Sequence, residues 1–538
     1  MKNIFLSLLL ITSTVFGQNE EAWVYFLDKP NASHFFNNPL SELSQRSLDR
    51  RTTQGIALDT KDAPLEQTYL DQIAASNGIT VLAKSKWLNG VHVRGTQIAI
   101  AALSALSFVH RIQYANHALN TGGRVASKSA QPYNVINKGF NTKTAYNYGS
   151  SATQIQMLNA QVLHQQNFTG AGKIVAIMDA GFPGVNTTEP FQHLRDNGLI
   201  LGGYNYVNRS SNFYIGHPHG TMVLSTMGAI TTNLVGTAPD AHYYLFITED
   251  VASESPVEES YWVEAAEQAD RLGVDVINTS LGYFSYDNPN YSYSYTQMNG
   301  QVSVIARATD IAFSRGMICV SSAGNSGSTT QPNILTPADA AMNITVGAVN
   351  ATETRSSFSS IGPTADNRIK PDVMAMGTAS VVANETGTVH TADGTSFASP
   401  ILAGAITSFW SAFPSKTNTE IVQLIKASAD RYSTPDIYYG YGIPDFQTML
   451  NKVLTVNEVE DSKMEIYPNP VKDVLTIAVL EASLPAQIEI YTTFGQKIMS
   501  QRVDYPKQNI TLPTVPSGIY FYKLSNGKAS ASGKLIKQ

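Results

Sequence analysis

The chain has 538 residues, of which 43% are hydrophobic and 14% charged, so it can bury several cores and wholesale disorder is excluded. Its formal net charge of -6 comes without a block of lysine and arginine, which argues against a nucleic-acid-binding role. The single cysteine, Cys319, rules out an internal disulfide framework and a thiolate-only zinc site, and its apolar surroundings predict a core position. We expect three or four domains.

The N-terminus is typical of an export signal. Lys2 precedes an apolar stretch at residues 4–16 that is too short to span a bilayer comfortably, and residues 15–17 are acceptable before a cleavage point. We expect residues 1–17 to be a Sec signal peptide rather than a membrane anchor. No later run predicts a transmembrane helix, so the mature protein is expected to be exported and to have no transmembrane segment.

Residues 18–117 have the pattern of a small α+β domain. Strands are predicted at residues 22–27, 80–93 (a pair) and 110–114, and helices at residues 43–51, 65–77 and 96–107. Residues 118–147 are rich in Gly, Ser, Asn, Thr and Lys and have little periodicity. That composition predicts an exposed linker, open to proteolytic processing.

Residues 148–455 alternate apolar strand runs with helical patterns, which predicts an α/β domain with a mainly parallel sheet. The predicted strands are residues 173–178, 241–247, 274–279, 317–321 and 344–348. A tyrosine-rich insertion at residues 283–295 is either a rim for substrate or a packed surface loop, and we favour the loop. A polar linker at 456–463 precedes short strands with turn signals at 464–538, which predict a small β-sandwich.

Four polar residues lie beside glycines at predicted strand ends or helix starts, in the order Asp179, His219, Asn325, Ser396. Asp179 ends a strand, and His219 begins an apolar helical run. Asn325 follows a buried strand, and Ser396 precedes an apolar helix predicted at residues 401–413. Asp179 alone is more often a cap or turn former, His219 alone is more often structural, and a turn residue is the alternative for Asn325.

Together the four residues supply what acyl transfer requires. A serine hydroxyl is a poor nucleophile unless an imidazole removes its proton, and the imidazole needs a carboxylate to fix its tautomer and stabilise its cation. A side-chain amide can donate to the developing oxyanion, as can backbone N–H groups at a helix start.

The motifs Asp-x-Gly, His-Gly-Thr, Ala-Gly-Asn and Gly-Thr-Ser-Phe-Ala-Ser-Pro, in that order, resemble those of the subtilisin-like serine proteases. The resemblance extends to residues 235–239, 277–282 and 370–373, and implies a subtilisin-like three-layer domain. It implies that Asp179 orients His219, that His219 is the general base and acid, that Ser396 attacks, and that Asn325 binds the oxyanion. Ala180 departs from the family, which usually has Ser or Thr there, but that residue carries no proton.

The resemblance also implies how partners bind. Protein or peptide substrates would lie extended against two segments that line the specificity pockets: Ser280, Leu281 and Gly282, and Ser322, Ala323 and Gly324. Residues 18–117 are similar in placement and pattern to the propeptide of these proteases, an inhibitor and folding chaperone; a separate binding domain is the alternative. We expect self-cleavage within residues 116–147. No cofactor is needed for the chemistry; structural calcium is common in the family, but no local cluster of ligands assigns a site.

The C-terminal region has a second resemblance. The motif Ile-Tyr-Pro-Asn-Pro at 466–470, Val-Pro-Ser-Gly-Ile-Tyr at 515–520 and the ending Gly-Lys-Leu-Ile are similar to the sorting domain of the type IX secretion system of certain Gram-negative bacteria. This implies contact with that machinery and a secreted protein, extracellular or at the cell surface. An ordinary accessory β-sandwich is the alternative.

Three rival functions remain to be weighed. A lipase or esterase of the α/β-hydrolase type needs a histidine after the serine, and none follows His390. A zinc hydrolase could use His217 and His219, but the chain has no His-Glu-x-x-His motif and no convincing third ligand. The third is a catalytically inactive binding or adhesion protein on the same scaffold, which the presence of all four catalytic residue types disfavours.

Overall fold

A computed structural model describes residues 19–120, 146–454, 465–479, 484–493, 495–526 and 530–538. The predicted signal peptide, the linker 456–463 and most of the linker 118–147 lie outside the described residues. The chain divides into two units after Val453.

The first unit begins with the α+β domain that the sequence predicts. Its elements are β1 (Asn19–Phe26), α1 (Ala32–Asn37), α2 (Gln45–Thr53), α3 (Gln67–Ala74), β2 (Ile79–Ser85), β3 (Gly90–Thr96), α4 (Gln97–Ala102) and β4 (Val109–Tyr114). The strands form an antiparallel sheet in the order β2-β3-β1-β4. Because side chains alternate along a strand, Ala22 and Val24 of β1 face a core shared with Ile73 of α3, while Trp23 and Tyr25 face the opposite way.

The central domain follows, within the same unit. Its elements are α5 (Ala152–Gln156), α6 (Gln161–Gln165), β5 (Ile174–Asp179), α7 (Gln192–Asp196), β6 (Ile200–Asn205), α8 (His219–Gly228), β7 (His242–Ile247), α9 (Val257–Leu272), β8 (Val276–Thr279), α10 (Val304–Ser314), β9 (Ile318–Ser322), β10 (Ile344–Val349), β11 (Val373–Met376), β12 (Ser380–Ala383), β13 (Val389–Ala392), α11 (Thr395–Ala412), α12 (Asn418–Ser428) and α13 (Phe446–Leu454). Seven strands form one parallel sheet in the order β11-β10-β9-β8-β5-β7-β6. The prediction of a mainly parallel sheet is confirmed.

Helices cover both faces of this sheet and make three layers, as predicted. Every residue of β5 is buried: Val175 and Ile177 face a core with α8 and α11, and Ala176 and Met178 face a core with α9 and α10. A central parallel strand needs apolar residues on both faces, which is why its sequence reads as a continuous apolar run. Cys319 of β9 is buried in the second of these cores, as predicted.

The N-terminal domain packs on the α9 and α10 layer. Trp23 and Tyr25 belong to the same buried cluster as Trp262 of α9. The tyrosine-rich insertion closes one side of this contact, since the Tyr291 hydroxyl donates to Glu20 at 3.2 Å. Tyr283, Tyr286 and Tyr291 are buried, so the insertion is a packed loop, as favoured, and it contacts the N-terminal domain.

The second unit is a two-sheet β-sandwich, as predicted. Its strands are β14 (Glu465–Tyr467), β15 (Val474–Ala478), β16 (Ala486–Thr492), β17 (Lys497–Val503), β18 (Lys507–Thr511), β19 (Gly518–Ser525) and β20 (Ser530–Lys537). The sheets β14-β15-β18 and β17-β16-β19-β20 are antiparallel, and both contribute to one core. Asn469 fastens the last strand: its side chain donates to Lys534 O at 2.6 Å and accepts from Ile536 N at 2.8 Å.

No helix within the described ranges is long and apolar enough to cross a membrane.

Candidate active site

The four predicted catalytic residues meet at the carboxyl end of the parallel sheet. Asp179 is the last residue of β5, His219 is the first residue of α8, and Ser396 is the second residue of α11. Asn325 follows β9 by three residues. Ligand sites of open α/β sheets lie at this edge, because the loops that leave the strands converge there.

Asp179 and His219 form a buried pair. His219 Nδ1 donates to Asp179 Oδ1 at 2.7 Å, and the Ala180 N–H donates to the same oxygen at 2.8 Å. Gly220 permits this approach, since a Cβ there would lie 2.9 Å from the Cβ of Asp179. Ala180 contributes only its backbone, so the departure from the family motif leaves the contact intact.

Electrostatics favour a cationic imidazole at this position. Burial alone would lower the pKa of His219, but the Asp179 carboxylate outweighs that effect and the pKa is raised above its usual value. The other ring nitrogen, Nε2, is thereby set up as a base whose conjugate acid the carboxylate stabilises.

Ser396 lies beside this pair but points elsewhere. Its hydroxyl donates to the Ser280 carbonyl at 3.1 Å, and the described residues include no hydrogen bond between Ser396 and His219. The ring of His219 lies 5.9 Å from that of Phe397, the residue after Ser396, so the imidazole stands against the first turn of α11. Catalytic hydrogen bonds are often loose until substrate binds.

The helix that carries Ser396 starts six residues earlier than the sequence analysis predicts. The predicted helix covers residues 401–413, yet the observed helix includes Pro400, a residue that has no N–H and usually breaks or kinks a helix. Its missing donor is the one that would reach the Ser396 carbonyl, four residues back. The Ser280 hydroxyl donates to that carbonyl at 2.8 Å instead, so the helix runs on through the proline.

Asn325 is held in one orientation. Its Oδ1 accepts from the Thr395 N–H and from the Thr395 hydroxyl, both at 2.9 Å. A Cβ built on Gly394 would lie 3.7 Å from Asn325 Nδ2, so the amide nitrogen is turned toward the start of α11. The two donations to oxygen leave Nδ2 as the donor available to a ligand.

The two predicted substrate-binding segments differ in their backbone bonding. Ala323 N donates to Val346 O at 3.0 Å and its carbonyl accepts from Leu335 N at 3.2 Å, while Gly324 N donates to Thr395 Oγ1 at 3.2 Å. Ser322 lies within β9 and pairs with β10. Leu281 and Gly282 are half-buried, and among the described residues no backbone hydrogen bond engages them. Of the two segments, residues 281–282 are therefore the part whose backbone groups are free of described hydrogen bonds.

Sequence reasoning missed an acidic cluster near His219. Carboxylate oxygens of Glu249, Glu254 and Glu258 lie within 4.8 Å of one another, and Glu249 accepts from the Tyr283 hydroxyl at 2.7 Å. Burial, with repulsion from the neighbouring carboxylates, raises the pKa of Glu249 to about 8 and that of Glu258 to about 9. These are the described side chains best placed to hold a cation. The run of acidic residues from 249 to 259 was the available signal.

A carboxylate–imidazole pair and a serine at a helix start meet at the carboxyl end of the parallel sheet, which is the arrangement expected of a serine hydrolase. Residues 170–442 match the model of the Subtilase family, so the chain belongs to that family and is a serine endopeptidase. Residues 21–132 match the peptidase S8 propeptide domain of Bacteroidota, and residues 465–538 match the secretion system C-terminal sorting domain. The protein is thus a protease with a propeptide and a signal for export out of the cell.

Two curated relatives, both subtilisins, agree with this assignment. Subtilisin NAT of Bacillus subtilis subsp. natto is 31% identical over 308 residues, 56% of this chain and 72% of its own. Subtilisin DY of Bacillus licheniformis is 30% identical over 292 residues, 54% of this chain and 94% of its own. Among solved structures, MycP1 with its N-terminal propeptide removed is 22% identical with a TM-score of 0.45, covering 55% of this chain and 96% of that one.

Proposed function

We propose that the protein hydrolyses peptide bonds through a triad of Asp179, His219 and Ser396 and an acyl-enzyme intermediate. The observation that carries the proposal is the 2.7 Å contact between Asp179 and His219 beside the first turn of α11. Family membership supports peptide-bond hydrolysis, and the geometry supports these residues as the ones that perform it.

The chemistry follows from the positions of the donors and acceptors. Ser396 Oγ leaves the Ser280 carbonyl, passes its proton to His219 Nε2 and attacks the scissile carbonyl. The negative charge on the carbonyl oxygen is met by Asn325 Nδ2 and by the Ser396 N–H, one of the first-turn donors that a helix leaves unpaired. His219 then gives its proton to the leaving amine, and a water, activated by the same imidazole, releases the acid. No step needs a cofactor.

An extended substrate would pair with the free backbone groups of Leu281 and Gly282. Residues 322–324 would line the pocket with their small side chains, because their backbone is already bonded within the domain. The substrate would therefore pair as a strand with the first of the two predicted segments and not with the second.

We further propose that the protein is made as a precursor. A Sec signal peptide would direct it out of the cytoplasm, and the type IX machinery would carry it across the outer membrane by its sorting domain. The prodomain would be cut from the protease by self-cleavage within residues 116–147, and would inhibit the protease until it is released.

Labelling of the exported protein with a fluorophosphonate tests the proposal. Peptide mass spectrometry should place the adduct on Ser396 and a new N-terminus between residues 116 and 147. Ser396→Ala should take no label, stay uncut and keep its fold, because one small side chain replaces another. Ser399→Ala, one turn further along α11, is the matched control and should still be labelled. Labelling elsewhere, or full proteolysis by Ser396→Ala, would refute the triad.

A further inference from the structure

Helix α2 of the prodomain lies outside the four-stranded sheet, at the carboxyl ends of two helices of the central domain. Arg46 Nε donates to Gly273 O at 3.0 Å, just past the end of α9. Arg50 Nε donates to Arg315 O at 3.1 Å, just past the end of α10, and Gln54 Nε2 donates to Gly316 O at 2.8 Å. Carbonyls at a helix end lack partners in the helix and carry its negative dipole, so α2 brings cationic donors to where they are needed.

A buried ion-pair network joins the same two surfaces. Asp270 of α9 is fully buried and accepts from Arg50 Nη2 at 2.5 Å and from Arg51 at 2.8 and 2.9 Å. Burial alone would raise the pKa of Asp270, but the two guanidinium groups lower it below its ordinary value. Among the described residues, every hydrogen bond to the Asp270 carboxylate comes from the prodomain. The prodomain therefore neutralises a buried charge of the central domain.

The network also runs in the opposite direction. Arg315 of the central domain donates to Asp59 at 2.7 Å and to Asp62 at 3.0 Å in the prodomain. Arg51 holds Asp62 at 2.7 Å, which links the two halves of the network. Each domain thus supplies both positive and negative side chains. A different partner would need the same charges at the same positions to bind this surface.

Such a network discriminates strongly between partners. A buried pair that loses one member leaves an uncompensated charge out of water, and this is far more costly than an exposed pair that breaks. A prodomain without two adjacent arginines would leave Asp270 in that state, and so would bind more weakly by a factor on the order of 100 to 1,000.

We propose that the Asp270–Arg315 surface is a docking site, remote from Ser396, that holds the cut prodomain on the protease and selects this prodomain through α2. The partner that fits is a helix with the adjacent pair Arg50-Arg51, followed by the acidic residues Asp59 and Asp62. The inference rests on the proposed function, since it concerns the interval between cleavage of the linker and release of the prodomain.

The test compares release of the cut prodomain from variants of the full chain. Arg51→Met keeps the apolar volume and removes the charge; the cut prodomain should dissociate on the order of 100-fold faster on dilution, followed by size-exclusion chromatography. Arg94→Met is the matched control, because Arg94 is half-exposed and pairs with Glu21 inside the prodomain. The triple variant Arg50→Met, Arg51→Met and Asp270→Leu should release slowly again, since it removes Asp270 together with both of its arginines and leaves Asp62 paired with Arg315.

Two results would overturn the proposal: release from Arg51→Met within twofold of the wild type, or a triple variant that releases faster than Arg51→Met. A second measurement stands apart from cleavage. In the uncut Ser396→Ala chain, amide hydrogen exchange over residues 45–53 should be slow, faster in Arg51→Met or Asp270→Asn, and unchanged in Arg94→Met. Fast exchange there in the parent chain refutes the docking site even if the protease never cuts its own linker, whereas slow exchange with no cleavage refutes only the proposed processing.

Discussion

The proline inside α11 makes a sharp prediction about Ser280. The Ser280 hydroxyl donates to the Ser396 carbonyl at 2.8 Å and accepts from Asn278 Nδ2 at 3.0 Å, and all three residues are at least nine-tenths buried. Ser280→Ala would leave a carbonyl and an amide without partners. Each unpaired buried group costs about 1–3 kcal/mol, so the loss of two partners should lower the free energy of unfolding by about 2–6 kcal/mol.

The same substitution should slow catalysis, because the unpaired carbonyl belongs to the nucleophile's own residue. A displacement of about 1 Å can cost on the order of 100-fold in rate, so we expect kcat/KM to fall 10- to 100-fold. Pro400→Ala supplies the missing N–H, and should restore about 1 kcal/mol in the Ser280→Ala background beyond its effect in the wild type. Ser399→Ala is the control, since the Ser399 hydroxyl meets Ser280 Oγ at 3.2 Å but not the carbonyl.

Unfolding is best followed in the Ser396→Ala background, because self-digestion should be absent there. The substitution keeps the backbone carbonyl of residue 396, which accepts from Ser280. The tryptophans of the chain all lie in the first unit, so their fluorescence in urea reports on it alone: Trp23, Trp87, Trp262 and Trp410. Activity is then measured on a peptide substrate with Ser396 in place. If the effects of Ser280→Ala and Pro400→Ala simply add, Ser280 does not replace the donor that Pro400 lacks, and the reasoning is wrong.

Three further predictions follow from the site and the sorting domain. Asn325→Ala should lower kcat about 10- to 100-fold with little change in KM, because a hydrogen bond to a developing charge is worth about 1.5–3 kcal/mol; an increase in KM alone would make Asn325 structural. The pKa of Glu249 is raised from 4.5 to about 8, so protonated Glu249 stabilises the fold below pH 4.5, and this stabilisation is lost as the pH rises to 8. Glu249→Gln should therefore flatten the fall in melting temperature between about pH 5 and 9. An unchanged slope would contradict this. Asn469→Ala should loosen the last strand by about 1–2 kcal/mol and leave precursor inside the cell, seen by immunoblot, whereas normal export would show that the clamp on Lys534 and Ile536 is dispensable.

The sequence predicted the architecture because the main signals are local. The buried strands of the central domain are continuous apolar runs. The catalytic residue types stand beside glycines, which allow neighbouring backbone and side chains to approach closely. The start of α11 could not be predicted, because the group that rescues the helix at Pro400 comes from Ser280, more than a hundred residues earlier. The network around Asp270 could not be predicted either, because its partners are also distant in sequence. Arginines on a polar helix are normally solvent-exposed, and only the fold shows that these contact another domain.

The acidic cluster was missed for a different reason. Glu249 and Glu258 lie in a loop and at a helix start, where acidic residues are ordinary capping groups. Only the fold shows that their carboxylates converge with Glu254 near His219, and that burial keeps them from behaving as surface charges.

The lone thiol of the chain has a practical use. Cys319 is 1% exposed, and burial raises its pKa far above the ordinary value, so it should not react with maleimides in the folded protein. One cysteine introduced at an exposed position such as Ser104 would then be the single site that takes a dye. A fluorophore placed there would follow departure of the prodomain in real time, in a chain whose native cysteine need not be replaced.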